Sequence, residues 1–305
     1  MTADLSRRTL LTGVPVAAAA LAVVPGTAAG ADTRSPEHTL PPCRRLAELE
    51  REYEGRIGCF ALDVGTHATV GHRAGERFPF LSTFKVLAAG AVLRRARTAE
   101  PGLLEQVLHW TEADLVDYSP VTSEHLHDGM TVAQVCEAAI GHSDNTAGNL
   151  ILARIGGPTG LTRFLRGLGD HLTRSDRWET DLNLWSPGEL RDTTTPAAMA
   201  ADLRALTVGR GLHPEDRSRL LAWMRGCLTG GARIRAGLPA DWIVGDKTGS
   251  FGGYGVANDV AVAFPPGRSP LVLSIFTHRN DTTTPYDNTV VARAATILVE
   301  ELEKV

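Results

Sequence analysis

Strand-like segments near both ends of the chain enclose a long helical middle, and that order limits the fold more than any other feature. Residues 56–64 read as a strand, and the stretch near 69–77 as a second one after a glycine-containing turn. Residues 241–249, 258–264 and 271–278 are strand-like again, separated by Gly-rich and Pro-rich turns. From Ser82 to about Gly226 the apolar spacing is mostly helical, broken by polar loops. Two further helices are predicted at the ends. In residues 40–53, Leu46, Leu49 and Tyr53 recur at three- and four-residue steps; in 286–305, Val290, Val291, Ala294, Ile297, Leu298 and Leu302 share one face. A sheet assembled from both termini, with a helical part inserted, satisfies this order. The expected class is α/β of the α+β kind. Asp-Thr-Thr-Thr-Pro occurs at 192–196 and 281–285, each time before a helical pattern, so helix capping explains both copies without an internal repeat.

Composition removes several function classes. With 31 Lys+Arg against 35 Asp+Glu the net charge is −4, so no basic surface calls for nucleic acid or an anionic membrane. At 43% hydrophobic residues the chain is not disordered, and four Cys in 305 residues do not make a disulfide scaffold. Residues 1–31 read as an address. Arg7-Arg8 precedes an apolar run, 10–24, broken by Gly13 and Pro15 and too short to span a bilayer; Ala29-Gly30-Ala31 fits a signal-peptidase site. The stretch from Ser6 to Leu11 resembles a twin-arginine export signal. The expectation is a secreted mature chain without a membrane or lipid anchor, monomeric, with residues 32–80 plus 227–305 forming the sheet part and 81–226 the helical part.

Three short motifs carry chemistry. Ser82-Thr83-Phe84-Lys85 opens a helix, where residues three apart share a face, so the Ser82 hydroxyl and the Lys85 amine can meet. A serine needs a base to become a nucleophile, and a desolvated lysine supplies one beside the unpaired N–H groups of a helix start. Ser143-Asp144-Asn145 taken alone is a polar loop or helix cap. Lys247-Thr248-Gly249 places a lysine in an apolar strand, beside a glycine that admits close approach of a backbone or ligand.

Together and in this order, the motifs resemble those of the class A serine β-lactamases. Tyr118-Ser119-Pro120, Arg177-Trp178-Glu179, Leu182-Asn183 and Arg191 to Pro196 extend the resemblance over nearly the whole mature chain. It implies the β-lactamase/D,D-peptidase-like fold: an antiparallel sheet flanked by helices, an inserted all-helical domain, and the active site between them. It implies a small-molecule β-lactam substrate and no cofactor. Ser82 would form the acyl-enzyme, with the backbone N–H groups of Ser82 and Ser250 holding the oxyanion. Lys85 would help deprotonate Ser82, and Ser143 would pass a proton to the lactam nitrogen beside Lys247. Asn145 would hold the substrate amide. Glu179 and Asn183 would hold the deacylating water, in an Ω-like loop (177–192) closed by an Arg177–Asp192 ion pair. Lys247, Thr248, Gly249 and Ser250 would line the end that takes the substrate carboxylate, and Tyr118 would form one wall.

The chain also departs from the family pattern. Where many members carry an arginine after the Tyr254-Gly255 segment, this sequence has Ala257; Arg233 either substitutes for it or is a solvated charge. Cys136 matches one end of a disulfide common in the family, but the other end falls at Ala89, so Cys136 and Cys227 are read as core residues, whereas Cys43 and Cys59 are free to pair or not. Phe251 and Leu81 stand where the carbapenem-hydrolysing branch often has two cysteines. His125-Leu126-His127-Asp128 imitates a zinc motif with the Asp one place early, so no metal is expected. The rival readings are a D,D-peptidase or penicillin-binding protein, and a penicillin-sensing domain. Glu179 with Asn183 argues against a long-lived ester, and the mature chain lacks a spanning segment for signalling.

Overall fold

A computed structural model describes residues 43–305, so the segment read as an export signal lies outside the described residues. In chain order the regular elements are α1 (Arg44–Tyr53), β1 (Gly55–Asp63), β2 (Thr69–His72), β3 (Phe78–Pro79), α2 (Phe84–Thr98), β4 (Val107–Leu108), β5 (Met130–Thr131), α3 (Val132–Gly141) and α4 (Asn145–Arg154). There follow α5 (Gly157–Arg166), β6 (Thr193–Thr194), α6 (Pro196–Thr207), α7 (Pro214–Arg225), β7 (Ile243–Phe251), β8 (Val256–Phe264), β9 (Leu271–Arg279) and α8 (Asn288–Leu302).

Five strands form an antiparallel sheet in the order β2-β1-β9-β8-β7, so strands from the two ends of the chain meet where β1 pairs with β9. The period-2 alternation of each strand sorts its side chains between two cores. On one face Ala261, Leu273 and Ile275 pack with Leu46 and Leu49 of α1 and Val291 and Leu298 of α8. On the other, Val260, Val262, Val272 and Phe276 pack with the helical body around α2 and α6. Burial on both faces explains why β8 and β9 read as nearly unbroken apolar runs.

Every residue of α2 from Phe84 to Leu93 is buried, as befits the central helix of that body. Gly90 permits its approach to α6: an added Cβ would lie 2.9 Å from Leu206 Cδ1. β7 forms one edge of the sheet. Alternation along β7 and β8 sends Lys247 toward the helices, and Asp246 and Asp259 to the opposite face.

Two expectations change. The second strand ends at His72, because Arg73 turns the chain with φ 47° and Glu76 N–H bonds back to its carbonyl; Phe78–Pro79 then pairs with β6 instead. The capping account of the repeated Asp-Thr-Thr-Thr-Pro holds for one copy only. Thr195 caps α6 by accepting from Ala198 N–H, with Pro196 next to it. In the second copy Asp281 instead folds a turn onto Thr283 and Thr284, and α8 is capped by Asp287. Cys43 and Cys59 are free thiols, while Cys136 and Cys227 are free and buried as expected.

Candidate active site

Ser82 sits in a single 3-10 turn, Leu81–Thr83, that leads into α2. Leu81 has φ 48°, a left-handed conformation that costs free energy in a branched residue and turns the chain sharply into the nucleophile. One turn on, Lys85 is wholly buried. Its Nζ lies 3.0 Å from Ser82 Oγ, 2.8 Å from the Ser143 carbonyl, 2.6 Å from Asn145 Oδ1 and 2.9 Å from Glu179 Oε1. Four acceptors surround a group with at most three protons, so at least one of them receives no Lys85 proton at any moment; of the four, Ser82 and Glu179 can exchange one. Burial lowers the Lys85 pKa, and the Glu179 and Asp144 charges oppose that. Gly148 makes room for the side chain: a Cβ there would stand 2.7 Å from Lys85 Cε.

Asp144 anchors the second motif. It caps α4 through Ala147 N–H at 2.8 Å and accepts from the Thr122 hydroxyl at 2.9 Å and from the backbones of Val121 and Thr122, both at 2.9 Å. Fixed this way, Ser143 (φ 59°) presents its Oγ 2.9 Å from Lys247 Nζ, and Asn145 Nδ2 donates to the Asp117 carbonyl at 2.8 Å. Lys247 is also wholly buried, with a further bond to the Thr248 carbonyl at 2.7 Å. Burial pushes it down to about 8, and the Lys85 ammonium acts in the same sense. Gly249 brings β7 against the nucleophile, since a Cβ would lie 3.0 Å from Leu81 Cβ and 3.2 Å from Ser82 N.

The segment between α5 and β6 delivers the carboxylate. Arg177 Nε meets Asp192 Oδ2 at 2.6 Å, and the buried Asp192 also takes the backbone N–H of Asp176 and of Arg177. Within the loop so closed, Glu179 Oε1 is 3.2 Å from Ser82 Oγ, while Asn183 Nδ2 donates to Glu179 Oε2 at 2.7 Å. Asn183 Oδ1 is buried without a protein partner. Asn149 clasps the Glu179 backbone from α4, accepting its N–H and donating to its carbonyl, each at 2.9 Å.

At the other end Arg233 is only 4% exposed, which removes the reading of a solvated charge. Its guanidinium donates to the Gly249 and Asn258 carbonyls at 2.9 and 2.7 Å, to Ser250 Oγ at 2.5 Å and to Asn288 Oδ1 at 2.7 Å. The Tyr286 ring lies 5.7 Å from it. Behind β7, burial raises the pKa of both Asp246 and Asp259, against the opposing charges of Arg235 and Arg233.

A cavity of about 430 Å³ collects these pieces. Ser82, Tyr118, Ser143, Asn145, Asn183, Arg233, Thr248 and Ser250 line it; Lys85, Glu179 and Lys247 stand buried in its walls, and Arg177 and Asp192 lie outside as the loop tie. A second cavity, about 310 Å³ between α2 and α5, holds none of them. Thr229, Tyr286 and Asn288 also line the site and Asn149 supports it, all unforeseen from sequence. Only Asn149 left a signal, four residues after Asn145 on the same helix face. His125 pairs with Asp128 at 3.2 Å, and among the described residues no three His, Cys, Asp or Glu gather to hold a metal.

A serine in contact with a buried lysine and carboxylate is the arrangement of an acyl-transferring serine enzyme. The β-lactamase enzyme family matches residues 41–302. The chain is 54% identical over 258 residues to β-lactamase AST-1 of Nocardia asteroides, covering 85% of this chain and 83% of that one. It is 46% identical over 257 residues to the carbapenem-hydrolysing β-lactamase KPC of Klebsiella oxytoca, covering 84% and 87%. A crystal structure of a β-lactamase from Streptosporangium roseum superposes with TM-score 0.84 at 54% identity, over 86% of this chain and 98% of that one. An ancestral class A β-lactamase superposes with TM-score 0.81 at 50% identity, over 84% and 98%. The chain therefore belongs to the β-lactamase family, as a class A serine β-lactamase.

Proposed function

We propose that this enzyme hydrolyses the β-lactam amide of penicillins and cephalosporins through an ester on Ser82, which a water activated by Glu179 then clears. The observation that carries the reading is the reach of Glu179 between Ser82 Oγ, at 3.2 Å, and Asn183, whose buried Oδ1 is left as a free acceptor beside it. Ser82 Oγ attacks the lactam carbonyl while its proton passes into the Lys85–Glu179 network. The oxyanion is held by the backbone N–H groups of Ser82 and Ser250, brought close because Gly249 has no side chain. The C–N bond breaks as Ser143 hands a proton to the nitrogen, replenished from Lys247 at 2.9 Å. Asn145 orients the substrate amide, and Tyr118 walls the cleft.

In the second half Glu179 takes a proton from a water held with Asn183. The oxygen adds to the ester carbonyl, the Ser82 ester bond breaks, and Ser82 regains its proton. The substrate carboxylate lies against Lys247, Thr248, Ser250 and Arg233. The enzyme works as a monomer and confers β-lactam resistance outside the cytoplasm, residues 1–31 being its export signal. Among the described residues no helix is long and apolar enough to cross a membrane.

Turnover of a chromogenic cephalosporin with mass spectrometry of the protein tests it. The wild type is expected to turn over without a lasting adduct, and Ser82→Ala to form none. Glu179→Ala is expected to acylate while deacylation slows roughly 10³-fold, so that the adduct accumulates. Steady turnover by Glu179→Ala would remove the base role. A lasting adduct on the wild type would favour the peptidase or sensor reading instead.

A further inference from the structure

One pair of buried carboxyls takes no part in the chemistry above. Asp170 follows α5 and Asp202 lies in the middle of α6, and both are buried. Asp170 Oδ1 accepts the backbone N–H of Leu172 at 2.7 Å and of Thr173 at 3.0 Å. Asp202 Oδ2 is buried and receives no N–H or O–H donor among the described residues, and its carboxyl lies within hydrogen-bonding reach of the Asp170 carboxyl. Two carboxylates in contact in a dry setting do not both ionise. Asp170 has the backbone donors and therefore carries the charge, which leaves the proton on Asp202.

The contact stands at the root of the loop that bears Glu179. Inward from it, Thr173 Oγ1 meets Thr194 Oγ1 at 2.6 Å, Arg174 N–H donates to the Thr193 carbonyl at 3.1 Å, and Arg177 pairs with Asp192. Each rung joins the strand entering the loop to the strand leaving it. We propose that Asp202 keeps a proton that it donates to Asp170, and that this carboxyl–carboxylate bond is the outermost rung of the clamp that positions Glu179. Asp170 and Asp202 are then positioning residues for ester hydrolysis, a role that rests on the reading of Glu179 as the deacylation base.

The surroundings agree. Burial pushes Asp202 up to about 9, and the Asp170 charge and hydrogen bond add to it. Arg166 at the end of α5 opposes this weakly, and among the described residues the sheet, α2 and α7 bring no charged group to bear on it. Burial alone would raise Asp170 as well, but its hydrogen bonds from Thr173, Leu172 and Asp202 hold it below the usual range.

The test compares Asp202→Asn, whose amide N–H donates at every pH, with Asp202→Ala, which donates nothing. An aspartate whose folded pKa is raised takes up a proton on folding, so its contribution to stability falls as pH rises from the ordinary aspartate range to about 9. The melting temperature of Asp202→Asn should therefore gain on the wild type steadily between pH 5 and pH 8. A gap that stays constant with pH overturns the proposal, whatever Glu179 does. Asp202→Ala should speed amide exchange in residues 177–192 and slow ester decay roughly tenfold. Asp202→Asn should return both to within about twofold of the wild type. An Asn variant that decays as slowly as the Ala variant also overturns it, and where the Ala variant does not fold the Asn variant carries both readouts. Failure of the Glu179 reading would show separately, as turnover by Glu179→Ala with the pH-dependent stability gap intact.

Discussion

Lys85 and Lys247 are both wholly buried, yet the protein solvates them differently. Lys85 has a carboxylate partner at 2.9 Å and three further oxygens, so its charge is matched before any substrate arrives. Lys247 has one hydroxyl and one carbonyl and no ion pair among the described residues, and the carboxyls behind its strand are pushed toward their neutral forms by burial. A buried cation without an anion is costly. On the proposed reading, that cost is relieved when an anionic ligand enters the neighbouring cavity lined by Thr248, Ser250 and Arg233. The first lysine belongs to a closed proton network and the second to an incomplete ion pair. The difference predicts which kinetic constant each one controls.

The sharpest way to break this comparison is to remove each lysine in turn. Lys85→Ala should lower kcat roughly 10³-fold with little change in KM, as its proposed part in proton transfer requires. Lys247→Ala should lower kcat/KM roughly 10²-fold and chiefly through KM, if Lys247 is the buried partner of the substrate carboxylate as proposed. Steady-state kinetics on one penicillin decides the matter; the same split for both variants would erase the distinction. A smaller effect is expected from Arg233→Ala. It removes a charge from the end proposed to take the substrate carboxylate and leaves the Gly249 and Asn258 carbonyls without their donor. KM should rise about tenfold, and urea unfolding should report a loss of about 1–3 kcal/mol from the unpaired acceptors. Unchanged KM with the stability loss present would make Arg233 purely structural.

The two lysines were also legible to different degrees. Ser82 and Lys85 are three residues apart, so helical periodicity alone brings them together. The meeting of Lys247 with Ser143 spans more than a hundred residues and depends on the β7–β8 register, which only the family resemblance anticipated. The fold was readable where side-chain period follows burial, in β8, β9 and α8. It was not readable where a backbone turn overrides it, as at Arg73. Arg233 shows the same limit: in sequence it is one polar residue in a turn, and its burial comes from the carbonyls of two strands that converge on it. Asn149 and Asn288 are ordinary asparagines until the fold supplies Glu179 and Arg233 as their partners.

The smallest expected effect separates the lysines without altering either. With Lys247 lowered to about 8, kcat/KM of the free enzyme should fall as pH rises past that value, to about half of its plateau at pH 8. The sign follows from the charge: an ammonium attracts a carboxylate and a neutral amine does not. The fall should level off rather than reach zero, because the Arg233 guanidinium stays charged throughout the range. In Arg233→Ala the same limb should therefore run deeper, with its midpoint still set by Lys247. Loss of the proton from Lys85 predicts something else, a limb in kcat that Arg233→Ala leaves unchanged. Profiles of kcat/KM and kcat measured on both proteins tell the two apart, and a limb absent from kcat/KM would remove Lys247 as the group that recognises the anion.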